Sequence, residues 1–226
     1  ALERAVKSDS SYSDAWAWLS SLYLDEDRLN YNPRPSPLDR ALDAAQRAVA
    51  LDPTSQVAHT VLAIVHFHRQ ELDAFLPEAE RALALNPNHT LSLASLGTRF
   101  HQAGDERGIA LVKKAMKLDP FLPTFYNITI AADHFVRGEY EEALAATRRV
   151  SIPGFFLTQV FLAASYAELG RQGDAQAAVE ELLRLRPDYS IDKHIEWERQ
   201  NNIPEDGSRP VVEALRKAGL PEGTEA

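Results

Sequence analysis

Seven histidines and 33 acidic residues invite a search for a metal or an acid–base site. His66 and His68, in "VHFHR", stand two residues apart. On a helix that spacing points them in different directions, whereas a helical metal pair needs i, i+4 with a carboxylate nearby. His59 and His66 fall where large residues recur along the chain, so buried histidines with one satisfied nitrogen are expected there in place of ligands. Asp133 lies beside His134, and Glu139, Glu141 and Glu142 follow in "GEYEEAL". These groups could supply an acid and a base, yet no nucleophile, phosphate loop or oxyanion motif accompanies them. Acidic residues at a helix start are ordinary complements to its dipole. No catalytic residue, metal site or cofactor is expected.

The other candidate, "NPRPSP", puts Pro33, Pro35 and Pro37 at alternate positions and holds the chain extended. It lacks the P-x-x-P register of proline-recognition ligands. A stiff insertion bracing Trp18 or Tyr23 is the expectation. The acidic runs at 25–27 and 180–181 read as solvated faces.

Composition narrows the classes further. A chain of 226 residues, 45% hydrophobic and 25% charged, can bury a sizeable core. No apolar run approaches the ~20 residues a membrane helix needs, and the first residues do not resemble a secretory signal. The formal charge of -9 repels a phosphate backbone, so nucleic acid is a poor partner for this segment. Without cysteine there is no disulfide framework and no thiolate site. Cytoplasm is the expected location, and periplasm also fits this composition.

The elements that position these residues repeat. Prolines stand at 53, 87, 120, 153 and 187, spaced by 33 or 34 residues. Most close a stretch of helical periodicity, as Ala41, Ala45 and Ala48 do before Pro53. Small residues on one face let two helices approach closely, and proline stops the second. Upstream of each stop lies a second pattern: Trp16, Leu19, Ser20 and Tyr23; His59, Leu62, Ala63 and His66; Leu93, Leu96, Gly97 and Phe100; Gln159, Leu162, Ala163 and Tyr166. In the unit after Pro120, Tyr126, Thr129 and Ile130 stand for the usual trio, and its second helix is expected to end early at "RRVSIPG".

Period and pattern together resemble the tetratricopeptide repeat, whose first helix reads large-x2-Leu-small-x2-aromatic. The resemblance covers residues 1–187 and implies an all-α, right-handed superhelical solenoid of about five antiparallel helix pairs. Ser10 stands where a proline is expected, 43 residues before Pro53. An insertion at about residues 25–38 accounts for the excess. Residues 188–226 read as a cap and tail: a helix over "YSIDKHIEWERQ", a loop over "NNIPEDGSRP", and a short amphipathic helix ending at Gly219. Val211, Val212, Leu215 and Leu220 are expected to face the last repeat. The chain opens inside a second helix, "ALERAVK", without an initiator methionine, so it is expected to be part of a longer polypeptide.

Proteins of this family bind a peptide or a partner helix along the groove lined by the first helices, and the resemblance implies a non-catalytic protein–protein interaction module. Residues one turn around from the core positions assign to that groove Val57, Thr60, Ile64, Phe67, Leu91, Ala94, Thr98 and His101. Ala17, Ser21, Val160, Ala164 and Ala167 extend it. The lining carries none of the Lys, Arg or Asn that would grip an acidic tail, so an apolar or amphipathic segment is the expected ligand. The same residues could instead serve inter-repeat packing. The endings "LGRQGDAQAAVEELLRLRPDYS" and "LRKAGLPE" further resemble C-terminal repeat regions of bacterial class III adenylate/guanylate cyclases and of winged-helix transcription regulators. That implies a regulatory module of a signalling protein. The alternative is self-association, a homodimer formed through the terminal repeats.

Overall fold

The computed structural model describes residues 1–29, 32 and 34–223. Among them it contains thirteen α-helices, one 3-10 turn and no strand, the architecture of an α-solenoid built from helix pairs. Two compact units divide the chain, Ala1–Arg99 and Phe100–Ala226.

The first unit holds α1 (Leu2–Ser8), α2 (Ser13–Leu29), α3 (Pro37–Leu51), α4 (Gln56–His68), α5 (Leu72–Leu85) and most of α6 (Thr90–Gln102). Helices α2 and α3 form one pair, α4 and α5 the next, and α1 rests on α2. Alanines make the pairing close: Ala41, Ala45 and Ala48 of α3 are buried against Ala17 and Leu24 of α2 and against Ala58, Val61, Leu62 and Val65 of α4. Burial of each larger aliphatic side chain contributes about 1.5–3 kcal/mol.

The second helices other than α9 (Tyr140–Thr147), which leaves through a helical Arg148, stop in one way. Asp52, Asn86, Asp119 and Arg186 each leave the helix into extended backbone directly before a proline, which disfavours the helical region for its predecessor. Asp9 does the same before Ser10, so proline is not obligatory. At Asp9, Asp52, Asn86 and Asp119 the side-chain oxygen also accepts the amide two residues on, at 2.9–3.1 Å, which locks the turn without proline's help.

The expected insertion partly extends a helix: α2 continues to Leu29, and Pro37 opens α3. Residues 30, 31 and 33, including Pro33, lie outside the described residues. Of the two aromatics the insertion was expected to brace, Tyr23 is held and Trp18 is not. Tyr23 donates to Glu3 at 3.0 Å, Arg34 donates to the same carboxylate at 2.7 Å, and the Arg40 guanidinium lies 4.3 Å from the Tyr23 ring centroid. Trp18 remains 55% exposed.

The second unit contains α7 (Arg107–Leu118), α8 (Asn127–Val136), α9 (Tyr140–Thr147), α10 (Phe156–Glu168), α11 (Gln172–Leu185), α12 (Ile191–Gln200) and α13 (Glu205–Ala218), with a 3-10 turn at Thr124–Tyr126. The pairs are α8 with α9 and α10 with α11. Helix α9 does end early, at Thr147. The register of α8 differs from the expected one. The turn after it matches the turns after α4 and α10 only when His134 aligns with His66 and Tyr166. The trio is then Asn127, Ile130 and Ala131, one residue later than expected, and Ala131 is fully buried like Ala63 and Ala163. Helix α13 also starts earlier than expected: Glu205–Pro210 is helical, because Pro204 sits just before its first turn and Glu205 and Asp206 complement its dipole.

Candidate functional site

Histidines are spent on structure. His59 Nε2 donates to the Pro53 carbonyl at 3.0 Å, and its Nδ1 lies 2.5 Å from Glu78. His66 Nδ1 pairs with Glu71 at 2.7 Å, and His134 with Glu139 at 2.5 Å, the same contact two repeats later. The His66 and Arg69 bonds hold the Glu71 carboxyl below its ordinary value against burial. His68 turns away from His66 and accepts from Arg99 of α6 at 3.4 Å. Asp133 is buried and paired with Arg137 at 2.8 Å, not with its neighbour His134. Among the described residues no group of three or more His, Cys, Asp or Glu is arranged to hold a metal ion.

The expected groove residues divide by burial. Phe67 and Ala94 are fully buried, Phe67 with its ring edge-on to Phe75 at 5.5 Å, so both belong to the core. Thr60 is buried as well: its hydroxyl donates to the Gln56 carbonyl at 2.9 Å and meets Ser92 Oγ of α6 at 2.8 Å. Gln56 reaches both hydroxyls, making a polar seam between α4 and α6. Val57 and Ile64 are half-buried and lean on the core of the first unit. Leu91 is 44% exposed, and Thr98 half-buried. The accessible part of this face is thus Val57, Ile64, Leu91 and Thr98, apolar with one hydroxyl. His101 falls in the second unit, where burial pulls its imidazole below the ordinary value, Asp133 opposing and Arg137 assisting.

In the second unit the groove positions of α10 are covered. Val160, Ala164 and Ala167 have no exposed surface, and α13 packs chiefly on α10, with further contact to α8 and α11. Of the four residues expected to face the last repeat, Val211, Val212, Leu215 and Leu220 are all buried.

A different surface escaped the pattern. Trp18 and Leu22, one turn apart on α2, are 55% and 43% exposed. Their equivalents are buried in α4 (Val61, Val65) and in α10 (Phe161, Ser165). The aligned first helices carry part of that signal, since Trp18 is the largest side chain at its position, where α4 and α10 place Val61 and Phe161.

No family model matches the sequence, and no curated protein does. Solved structures are similar in fold. PilW, a widely conserved type IV pilus biogenesis factor, aligns with a TM-score of 0.67 at 17% identity, covering 91% of this chain and 90% of its own. YrrB, described as a TPR protein with an unusual peptide-binding site, aligns with a TM-score of 0.53 at 18% identity over 87% and 98%. TTC0263, a thermophilic TPR protein of Thermus thermophilus, gives 0.60 at 18% identity over 82% and 98%. The chain has the tetratricopeptide-repeat fold. No helix among the described residues is long and apolar enough to cross a membrane.

Proposed function

We propose that this chain is a non-catalytic protein-binding module whose first unit takes an apolar or amphipathic segment on the α4/α6 face. The carrying observation is that Val57 and Ile64 on α4, and Leu91 and Thr98 on α6, seven residues apart on each helix, keep partly exposed surface. The polar seam beneath, Thr60–Ser92–Gln56, fixes the two helices relative to each other, so the face is preorganised and a ligand need not order it. YrrB, of similar fold, is described by its peptide-binding site. The terminal "LRKAGLPE" supports a regulatory place in a bacterial signalling protein, in the cytoplasm. Panning a displayed peptide library against the protein and against a Leu91→Asp, Ile64→Ala variant tests the binding face. Apolar peptides captured by the parent and lost on the variant support it; no capture, or capture unchanged by the variant, removes it.

A second reading, self-association, has its own observation in the exposed Trp18 and Leu22. Sedimentation over a hundredfold range of concentration tests it. A dimer that Trp18→Asp dissociates is the supporting outcome, and a monomer throughout refutes it.

A further inference from the structure

Helix α9 has eight residues where α3, α5, α7 and α11 have twelve to fifteen. The chain that would complete it forms the loop 148–155 instead. Between that loop, the first turn of α10 and the last turns of α11 lies a cavity of about 400 Å³. Ile152, Pro153, Phe155 and Leu185 give it apolar walls. The loop is held at both ends. The Ser151 amide donates to Thr124 Oγ1 at 3.0 Å, and Phe155 stands edge-on to Phe125 and to Phe156, each at 6.4 Å between centroids, where aromatic rings attract.

One polar group of the wall lacks a partner. Two other helical threonines return the hydroxyl to the carbonyl four residues back, Thr60 to Gln56 at 2.9 Å and Thr147 to Ala143 at 2.8 Å. For Thr158 that carbonyl belongs to Gly154, which precedes α10 with a left-handed φ of 74°, and the Thr158 hydroxyl is buried with no partner among the described residues. A buried hydroxyl without a hydrogen bond costs free energy, and a ligand that supplies the bond recovers it. The charged residue of the lining, Glu181, has both carboxylate oxygens taken by Arg184 at 2.6 and 2.7 Å, so a charged ligand would find no free counter-charge there.

We propose that this cavity is a ligand site for a small neutral ring carrying one hydroxyl, a phenol, with the ring between Phe155 and Leu185 and its O–H paired to Thr158. Apolar walls with one placed polar group are the usual make-up of a ligand pocket, and the volume lies at the small end of their ~300–1,000 Å³ range, which suits a single ring. The threonine hydroxyl both donates and accepts, as a phenol does, so the pair forms in either sense. The phenol is a free small molecule or the tyrosine side chain of a peptide. The site is built on the loop before α10 and on α11, a second helix, and so is separate from the groove of the first helices and independent of the α4/α6 face.

Phenol is the probe, titrated into the whole ¹⁵N-labelled chain and followed through amide shifts. Saturable shifts confined to residues 150–158 and 181–185 are expected, with affinity about fivefold weaker in Thr158→Val, which keeps the size and removes the hydroxyl. Fluorobenzene, of similar size without the O–H, should bind the parent about fivefold more weakly than phenol and be indifferent to Thr158→Val. The tripeptide Gly-Tyr-Gly separates the sources: binding at least as tight as phenol's supports a peptide tyrosine, and weaker binding a free phenol. No saturable shift at those residues, or equal phenol affinity in parent and Thr158→Val, overturns the proposal. If Thr158→Val loses helicity, the parent alone decides, because equal affinity for phenol and fluorobenzene overturns it as well.

Discussion

The Glu71 amide donates to the His66 carbonyl at 2.9 Å across the turn that joins α4 to α5, and Asp105 to Phe100, Glu139 to His134 and Arg171 to Tyr166 repeat that bond. The residue inside each turn is left-handed, with φ of 62° at Gln70 and 71–80° at Gly104, Gly138 and Gly170. Glycine adopts this region without a Cβ penalty; glutamine does not. Gln70→Gly is therefore expected to stabilise the protein by roughly 1 kcal/mol, seen as a higher urea midpoint. Gly138→Ala, where open space surrounds the added Cβ, should cost about 1 kcal/mol through backbone strain alone.

Phe67 and Leu91 separate core from surface on adjacent helices. Phe67→Ala is expected to cost about 3–5 kcal/mol by opening a cavity against Phe75. Leu91→Asp should stay within about 0.5 kcal/mol of the parent. Thermal or urea unfolding of both variants measures the difference, and equal losses would place Leu91 in the core.

Glu26 gives the stability a pH dependence. Burial pushes its carboxyl upward, but hydrogen bonds from Arg40 at 2.6 Å and Asn32 at 2.7 Å outweigh it and hold the group below the ordinary glutamate value of 4.5. A depressed carboxylate contributes stability that is present above the unfolded-state value and lost as pH falls through the folded one. Parent and Glu26→Gln should then differ by about 1–3 kcal/mol near neutrality and converge as acid carries the pH from the ordinary glutamate value down through the lower folded-state one. Urea midpoints from pH 7 down to 3 make the comparison; a gap that does not close with acid would rule out this carboxylate as its source.

Ser208 ties α13 to α12 through the buried carboxylate of Glu198, which also lies 3.2 Å from His194 Nε2. Tyr189 meets His194 Nδ1 at 2.8 Å, and burial raises the tyrosine's own pKa. Ser208→Ala leaves a buried carboxylate oxygen without its donor, at a cost of about 1–3 kcal/mol. Hydrogen exchange should accelerate in α12 and α13 and not in α8 or α10. Uniform acceleration would mean that α13 opens only with the whole unit.

The first helices show how far pattern reading reached. Proline period, small-residue positions and the large-x2-Leu spacing located the pairs because each is a local requirement: a stop, a close approach, a buried stripe. Where the pattern weakened, after Pro120, the trio was misplaced by one residue. Thr129 and Ile130 are both buried, so hydrophobicity alone could not choose between the registers, whereas the turn bond from Glu139 to His134 does. "NNIPEDGSRP" reads as a loop by composition, yet its second half is helical, because Pro204 opens the helix and Glu205 and Asp206 complement its dipole.

The sequence by itself determined the helix-pair architecture, the turns that end the second helices, and the amphipathic character of the last helix, since all three follow from the order of side chains along a few turns of backbone. Tertiary structure decided which apolar positions stay open. Phe67 is closed and Leu91 open, Val65 is covered and Leu22 bare, and the α10 face is filled by α13. Exposure depends on which distant element lands on a surface, and local periodicity assigns a residue to a face without saying what covers it.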